Sequence, residues 1–330
     1  MRVVDLFAGV GGLSLGFLEQ GAEIAFASDW DEAASATFRA NHPGVRFHEG
    51  AIEDIDFAEV SQELLREGEI DVVMGGVPCQ AFSMAGNRIR SNKEEAIDER
   101  VYLFRHFLKF VEATNPKVVL IENVVGITSM LQGRVLNEIE SSLENLGYKT
   151  SWKYLNAADY GAPQIRVRTI ILANRLGITN NFPTPSRTAG NYEPVESALR
   201  DVPGLNHEPR ELTGKTLERV KRIKPGQNWT SLPTELQTKS IHSGAYGRLD
   251  PNLPARTLTT RFDTPSVGYV THPYENRTLT VREGARIQGF PDTFEFFGAK
   301  MQQFRQVGNA VSPFMSRAIA DSIAEMLGEK

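Results

Sequence analysis

Residues 2–13 read Arg2-Val-Val-Asp-Leu-Phe-Ala-Gly-Val-Gly-Gly-Leu13. Arg2–Phe7 is an apolar run of strand length. Ala8–Gly12 is too rich in glycine to continue it, and Leu13–Gln20 begins a helix that Gly21 stops. Strand, glycine turn and helix in that order aim backbone N–H groups and a helix N-terminus at a ligand. The spacing departs from the dinucleotide fingerprint: Asp5 precedes the loop inside the strand, and no third glycine stands at the expected place in the helix. A second strand, Glu23–Ser28, ends in Asp29-Trp30-Asp31. An acid there can accept from ribose hydroxyls, and the indole offers a flat face to a purine. The competing readings are that Asp31 caps the helix Glu32–Asn41 and that Trp30 is core. Loop, acid and aromatic together favour an adenosine pocket.

Outward from this stretch the pattern repeats. A third strand, Val45–Phe47, leads to an acidic helix. A fourth lies in Asp71-Val-Val-Met-Gly-Gly-Val-Pro-Cys-Gln80, where two glycines and Pro78 end it just before Cys79. Ala81–Glu99 has no period and reads as a mobile loop able to close over a site. A helix follows from about Arg100 to Ala113, then a fifth strand, Lys117–Ile121, ending in Glu122-Asn123-Val124. Residues 134–146 form an amphipathic helix, and Tyr148–Leu155 and Thr169–Ala173 are two more strands. The alternation predicts an α/β fold with a doubly wound, mostly parallel sheet and antiparallel pairing at one edge. After residue 175 prolines and glycines become frequent and helices short. Ser312, Pro313, an apolar stripe through Phe314, Ile319, Ile323 and Leu327, and then Gly328 mark a capped last helix, whose expected partner is the sheet domain.

The totals narrow the class. The chain has 330 residues, 41% hydrophobic and 23% charged, which suits a large globular core. The start resembles neither a signal nor a transit peptide, and no apolar run approaches the ~20 residues of a membrane span. A cytoplasmic protein is expected. One cysteine allows no internal disulfide and no cysteine-rich zinc site, and no histidine pair has helical ligand spacing, so no metal is expected. Net charge is −5, but residues 49–71 alone carry −8, leaving +3 on the remainder. Residues 205–224 hold six bases against three acids, room for a phosphate-binding surface.

Cys79 and Glu122 follow neighbouring strands. A third element, Tyr160-Gly-Ala-Pro-Gln-Ile-Arg-Val-Arg168, adds Gln164, Arg166 and Arg168, and in extended chain both guanidiniums would face one side. A thiolate near arginines has a lowered pKa, and a carboxyl in a partly dry pocket can stay protonated and donate.

On these residues the chain resembles the bacterial DNA (cytosine-5-)-methyltransferases. Asp5-Leu-Phe-Ala-Gly-Val-Gly-Gly-Leu13 resembles the family's cofactor loop, and Gly76-Val-Pro-Cys-Gln80 with Phe82-Ser83 its nucleophile motif. Glu122-Asn-Val124, Gln164-Ile-Arg-Val-Arg168, Arg256-Thr-Leu-Thr259, Gln288-Gly-Phe-Pro-Asp292 and Gly308-Asn-Ala310 follow in the family's order. The resemblance spans nearly all the chain outside about 176–253. It implies S-adenosyl-methionine as donor and a cytosine flipped out of a short specific site in duplex DNA. Cys79 would add to C6, Glu122 would engage the N3/N4 edge, and Arg166 would fix the base with Arg168 in support. Phe7, Ala8, Gly9, Gly11, Gly12 and Leu13 would wrap the methionine part of the donor. Asp29 would hold the ribose and Trp30 would stack near adenine. Ile52, Pro78, Leu103 and Asn309 would complete the pocket. Gln80, Ser83, Gln164, Arg256 and Thr257 would meet the DNA.

The same resemblance implies a seven-stranded sheet and a smaller, irregular, β-rich target-recognition domain. It would divide the chain into residues 1–175, completed by 309–330, a recognition domain at 176–280 and a return segment at 281–308. Trp229, His242, Tyr246 and Arg248 are candidate phosphate or base contacts. A monomer is expected, with a cognate restriction endonuclease acting separately. Two departures stand out. Ala51 replaces a frequent acid, leaving the adenine amino group to Glu53 or Asp54 or without a polar contact, and Val77 replaces an aromatic residue or proline. The rivals are a nicotinamide or flavin oxidoreductase, disfavoured by the glycine spacing, a family member acting on transfer RNA, and a catalytically silent DNA-binding relative.

Overall fold

The alternation of apolar residues along the strands dictates two buried faces, and the computed structural model, which describes residues 1–78, 103–238 and 243–329, has both. The strands are β1 (Arg2–Leu6), β2 (Glu23–Asp29), β3 (Phe47–Glu49), β4 (Val72–Gly76), β5 (Val118–Val124), β6 (Lys149–Asn156), β7 (Gln164–Ile165) and β8 (Val167–Asn174). Seven of them form one sheet in the order β3-β2-β1-β4-β5-β8-β6. β1 to β5 are parallel, while β8 enters antiparallel between β5 and β6. The order reverses beside β1, where the glycine loop leaves the sheet. Such a switch point opens a crevice at the strand ends.

One sheet face carries Val4, Leu6, Val73, Val119 and Ile121. Against it pack α3 (Phe57–Glu67), α4 (Phe104–Thr114) and α5 (Arg134–Asn145), through Leu64, Phe107, Phe110 and Ile139. The alternate residues Val3, Val72, Met74, Val118 and Leu120 face the other way. They meet α1 (Gly12–Glu19) through Leu13 and Phe17, and the last helix, Pro313–Leu327, through Met315, Ile319 and Ile323. The helix after β2, α2 (Glu32–Asn41), is capped by Asp31, whose Oδ1 accepts from Ala34 N at 3.0 Å.

Three expected boundaries move. β3 begins at Phe47 rather than Val45, because Ala27 N already bonds to Arg46 O and the ladder runs from there. β5 does not stop at Ile121: β8 pairs with it residue by residue out to Val124↔Arg168, so Glu122 lies inside the strand. The helix expected from Arg100 is described from Phe104.

The region 176–280 is irregular without being β-rich. Its described strands are β9 (Gly247–Arg248), β10 (Ala255–Arg256) and β11 (Tyr269–Thr271), in two-stranded pairs. Frequent proline removes ladder donors and frequent glycine removes side chains to pack, so long strands cannot form. α6 (Gly214–Arg222) covers a small core of Val220, Ile223, Leu232, Leu236, Ala245 and Tyr246. A larger core, with Phe262, Phe290 and Phe304, also includes Val10 and Ala34 from the glycine loop and α2. It is built on α7 (Val281–Gln288) and α8 (Lys300–Asn309). α7 starts with a full capping box between Thr280 and Glu283. The last helix, α9, follows.

α1 and α9 meet at Gly16, where an added Cβ would collide with Arg317 N and Ser316 Oγ. Gly16→Ala gains ~1 kcal/mol of helix propensity. The forced separation costs about 1–3 kcal/mol. The variant is therefore expected to unfold at lower urea concentration than wild type. A midpoint at or above wild type would show that the helices have room to part there.

Candidate active site

The glycine loop is held from both ends. Ala8 N bonds to Ser28 O at 2.9 Å, and Asp29 Oδ2 accepts from Gly9 N at 2.8 Å while its Oδ1 accepts from Asp31 N at 2.9 Å. Phe7, Gly9 and Gly11 all take positive φ (61°, 56° and 86°). That is an ordinary conformation for the glycines and a costly one for Phe7. A Cβ at Gly9 would meet nothing within 4 Å, so the outer side of the loop is clear. Its underside is filled: a Cβ at Gly11 would strike His42 and Phe38, and one at Gly12 would strike Val311 O. The His42 ring packs on Phe38 at 4.5 Å, and burial pulls its pKa down to about 4, so it is neutral there at physiological pH. Leu13 is buried in the sheet face beneath. Trp30 lies 64% exposed at the end of β2, and Ile52 is buried on the turn Ile52–Asp54. Phe7, Ala8, Pro78 and Leu103 are half-buried and Asn309 is exposed. A clear loop backed by rigid packing, an acid with free lone pairs and an exposed indole fit an adenosyl group with a charged tail.

Glu122 sits opposite Gly76 on β4 and Ile170 on β8. Its Oε1 is 2.9 Å from Arg168 Nε, and both side chains are nearly buried. A Cβ at residue 76 would lie 3.4 Å from Glu122 Oε2, so glycine there leaves the carboxyl its space. Burial raises the pKa of Glu122, and the charges of Arg168 and Arg166 pull against it without reversing it. Asn123 Nδ2 donates to Val77 O at 3.2 Å, and Asn123 Oδ1 accepts from Val124 N at 2.8 Å. Asn123 thus ties β5 to the segment that runs on toward residue 79. Cys79, Gln80 and Ser83, the loop Ala81–Glu99 and His242 lie outside the described residues.

A glycine loop at one strand end and a buried carboxyl–guanidinium pair two strands away lie in a chain that has counterparts among known proteins. The sequence model of the C-5 cytosine-specific DNA methylase family matches residues 1–325. The chain belongs to that family. As a DNA (cytosine-5-)-methyltransferase it is 36% identical over 338 residues to the Type II methyltransferase M1.HphI of Haemophilus parahaemolyticus, covering 99% of this chain and 87% of that protein. It is 34% identical over 341 residues to the Type II methyltransferase M.NgoFVII of Neisseria gonorrhoeae, with the same coverage. Among solved structures, a prophage-encoded DNA modification methyltransferase from E. coli superposes with TM-score 0.73 at 26% identity, covering 99% of each chain. S. pombe Dnmt2 shares the fold, with TM-score 0.71 at 19% identity and 99% coverage of each chain.

Several residues of this methyltransferase lie elsewhere than expected. Arg166 and Arg168 both act electrostatically on Glu122 but make different contacts. Arg166 occupies the break between β7 and β8 and is fully buried. Its Nη1 donates to Leu258 O at 3.2 Å and its Nη2 to Gly308 O and Ala310 O at 2.8 Å each. Arg168 is the one that forms the ion pair with Glu122. Gln164 was expected at the DNA and is fully buried, accepting from Leu258 N and donating to Gln288 Oε1. Arg248 is also interior: it donates to Val220 O, Ile223 O, His272 O and Glu275 O. Tyr246 is buried and accepts from Arg219 Nη1, while Trp229 is half-buried. Arg256 and Thr257 are exposed, as is Ala51. Among the described residues no cluster of His, Cys, Asp or Glu can hold a metal, and no helix is long and apolar enough to cross a membrane.

Two functional candidates carried a signal that the sequence reading did not use. Asn123 stood in the Glu-Asn-Val motif without a role. Asp5 was noted only for its spacing; it is fully buried, accepts from Ser14 Oγ at 2.6 Å, and its Oδ1 has no partner. Burial pushes its pKa up to about 7. The folded protein therefore keeps a proton on Asp5 between about pH 4 and pH 7 that the unfolded chain releases. This group's stabilisation is complete below pH 4 and declines as pH rises toward 7. Asp5→Asn mimics the protonated form, so its stability relative to wild type should rise by at most about 1.4 kcal/mol per pH unit over that window and level off above it. Urea denaturation from pH 4 to 8 checks this, and a flat difference would mean Asp5 is ionised in the fold.

Proposed function

We propose that this enzyme moves a methyl group from S-adenosyl-methionine to C5 of a cytosine flipped out of a short specific duplex site, through a Cys79–C6 bond. The observation that carries the reading is the Glu122–Arg168 pair within β5 and β8, beside the strand that runs on toward Cys79. Cytosine C5 is a poor nucleophile, and covalent addition at C6 is what activates it. The Cys79 thiolate forms the S–C6 bond while Glu122, its proton favoured by burial, donates at N3. Charge builds at C5, which takes the methyl. Loss of the C5 proton, departure of Cys79 as thiolate and return of the N3 proton to Glu122 restore the ring. Arg168 orients Glu122 toward the base edge, and Arg166 acts from behind by fixing the strand that carries Arg168.

The donor supplies an electrophilic methyl on a sulfonium. Phe7, Ala8, Gly9, Gly11, Gly12 and Leu13 would surround its methionine part. Asp29 keeps a second lone pair on each oxygen for the ribose hydroxyls. Trp30, Ile52, Pro78 and Leu103 would enclose the adenine, with Asn309 at the rim. Glu53 and Asp54, both exposed on the Ile52–Asp54 turn, are the acids left to meet the adenine amino group. Residues 1–175 with 309–330 form the catalytic part, 176–280 the recognition part and 281–308 the return. Gln80, Ser83, Arg256 and Thr257 contact the DNA. The enzyme would be monomeric and cytoplasmic, and the Type II relatives favour a restriction-modification context with a separately acting endonuclease.

Transfer of labelled methyl to duplex DNA, with bisulfite mapping of the product, tests this. Label is expected at cytosine C5 in one short motif. DNA with 5-fluorocytosine at that position, which has no C5 proton to lose, should trap wild type covalently and leave Cys79→Ser free. Substantial turnover by Cys79→Ser would overturn the mechanism. Glu122→Gln should lose about 10²- to 10⁴-fold in kcat. The pH profile gives a further check. Glu122 must be protonated to donate, and Arg168 lowers its pKa. Arg168→Ala should therefore move the alkaline limb of kcat/KM to higher pH, whereas a shift to lower pH would assign Glu122 a different role.

A further inference from the structure

Asp29-Trp30-Asp31, where β2 hands over to α2, is held at its first and last residues. Asp29 Oδ2 accepts from Gly9 N, and Asp29 Oδ1 accepts from Asp31 N at 2.9 Å. Asp31 uses its Oδ1 to cap α2. Its Oδ2 is paired with Arg305 Nη2, from 274 residues further along the chain. Between the two acids the Trp30 indole stays exposed.

Arg305 lies on α8, and Asn309 follows one turn later on the same face, both exposed. The ion pair is not needed to dock α8 on α2. Thr37 Oγ1 donates to Gln306 Oε1 at 3.0 Å and accepts from Phe297 N at 2.9 Å. Asn41 exchanges two bonds with the backbone of Glu295, and Ala34 shares a core with Phe304 and Val307. The Arg305 side chain, by contrast, is 46% exposed, and pairs so exposed add little to folding. What Arg305 adds is a cation at Asp31.

That cation bears on Asp29. Burial raises the Asp29 pKa and the negative charge of Asp31 raises it further, against the N–H groups of Asp31, Gly9 and Trp30. Asp5 on β1 also interacts with it electrostatically, while Glu49, opposite it on β3, is paired with Arg39. With Asp31 neutralised, Asp29 keeps its charge and its free lone pairs.

We propose that Arg305 is a positioning residue for the methyl donor: by pairing with Asp31 it fixes the Asp29-Trp30-Asp31 turn that receives the adenosine part, and shields Asp29 from the charge of Asp31. This rests on the reading of that turn as the adenosine site.

The test measures S-adenosyl-methionine binding by calorimetry from pH 5 to 9, and donor KM and kcat in the labelled-methyl assay. It compares wild type, Arg305→Gln, Arg305→Lys, Asp31→Asn and the double variant Asp31→Asn/Arg305→Gln. Arg305→Gln should raise donor Kd and KM about two- to fivefold and leave kcat at saturating donor unchanged. Its acid limb of donor binding should move to higher pH, because Asp31 is then unneutralised and Asp29 takes up its proton sooner. Arg305→Lys should restore both. Asp31→Asn keeps the cap and removes the charge, so its acid limb should move to lower pH. Adding Arg305→Gln to Asp31→Asn should change neither Kd nor the limb further. An Arg305→Gln enzyme with wild-type donor affinity and acid limb would overturn the proposal. So would a loss that Arg305→Lys shares and that lowers kcat and melting temperature along with donor affinity, since it would assign Arg305 to the packing of α8. Both outcomes leave donor binding by wild type standing, whereas a wild type that binds no S-adenosyl-methionine overturns the adenosine reading as well. Thermal unfolding reports the fold of each variant, and Arg305→Met takes the place of Arg305→Gln if the latter is unfolded.

Discussion

The buried guanidinium of Arg166 holds distant parts of this chain against one another. Removing such a charge from water costs several kcal/mol unless it is well bonded. Here the cost is offset by the carbonyls of Leu258, Gly308 and Ala310, and by the nearby charge of Glu122. Beside it runs a second buried chain, from Gln164 to Gln288 and from Gln288 Nε2 to Val307 O. Both begin in the short stretch at residues 164–166 and end between residues 258 and 310. Because Arg166 stands at the break between β7 and β8, fixing it fixes both strands. β7 is turned toward β10, and β8 is inserted into the sheet where Arg168 can reach Glu122.

The glycine loop depends on distant residues in the same way. Its side facing outward is clear, but its underside is made by His42, Phe38 and Val311, and Ser316 Oγ bonds to Leu13 O. The second sheet face is covered only when α9 arrives, some 300 residues after β1. Local pairing of β1, β2 and β4 can form early. The finished site waits for non-local contacts, which are entropically slow to make. The geometry of the glycine loop is therefore a property of the whole fold, although its sequence is local.

What was legible follows the range of the interactions. Strand–loop–helix order, the antiparallel edge, the Asp31 cap and the partner of the last helix were readable, because period and punctuation are local signals. Glu122 was readable as a residue but not as part of a strand, since its pairing with β8 depends on a segment some fifty residues away. Arg166 and Arg168 look equivalent in a pattern that alternates. Their contacts separate them: three carbonyls from residues 258–310 meet the Arg166 guanidinium, while Arg168 pairs with Glu122. Gln164 and Arg248 looked like DNA contacts because they are polar and lie in suggestive company. A polar side chain used to satisfy buried backbone carries the same letter as one aimed at a ligand. Asp5 and Asn123 were passed over for the converse reason.

Charge obeys the same distinction. The count of +3 outside residues 49–71 suggested a positive surface facing DNA, but several of those bases are returned to the acidic block. Arg2 pairs with Glu67, Arg39 with Glu49, Arg46 with Glu63, and Lys117 with Glu69 and Asp71. Arg219 and Arg222 are held by Tyr246 and Glu218. Among the described bases of this basic stretch and its neighbourhood, Lys215, Lys221, Lys224 and Arg256 are exposed with no carboxylate partner among the described residues. Lys109, Arg134, Lys149 and Lys153, on the sheet domain, are likewise exposed without a carboxylate partner among the described residues. An attraction that decays within a Debye length, ~8 Å at physiological salt, acts where the unpaired charges are and not where the totals are. The net charge of −5 and a phosphate-binding face are therefore compatible, because much of the acidic block is paired with bases of the sheet domain while bases such as Lys215, Lys221 and Lys224 stay unpaired.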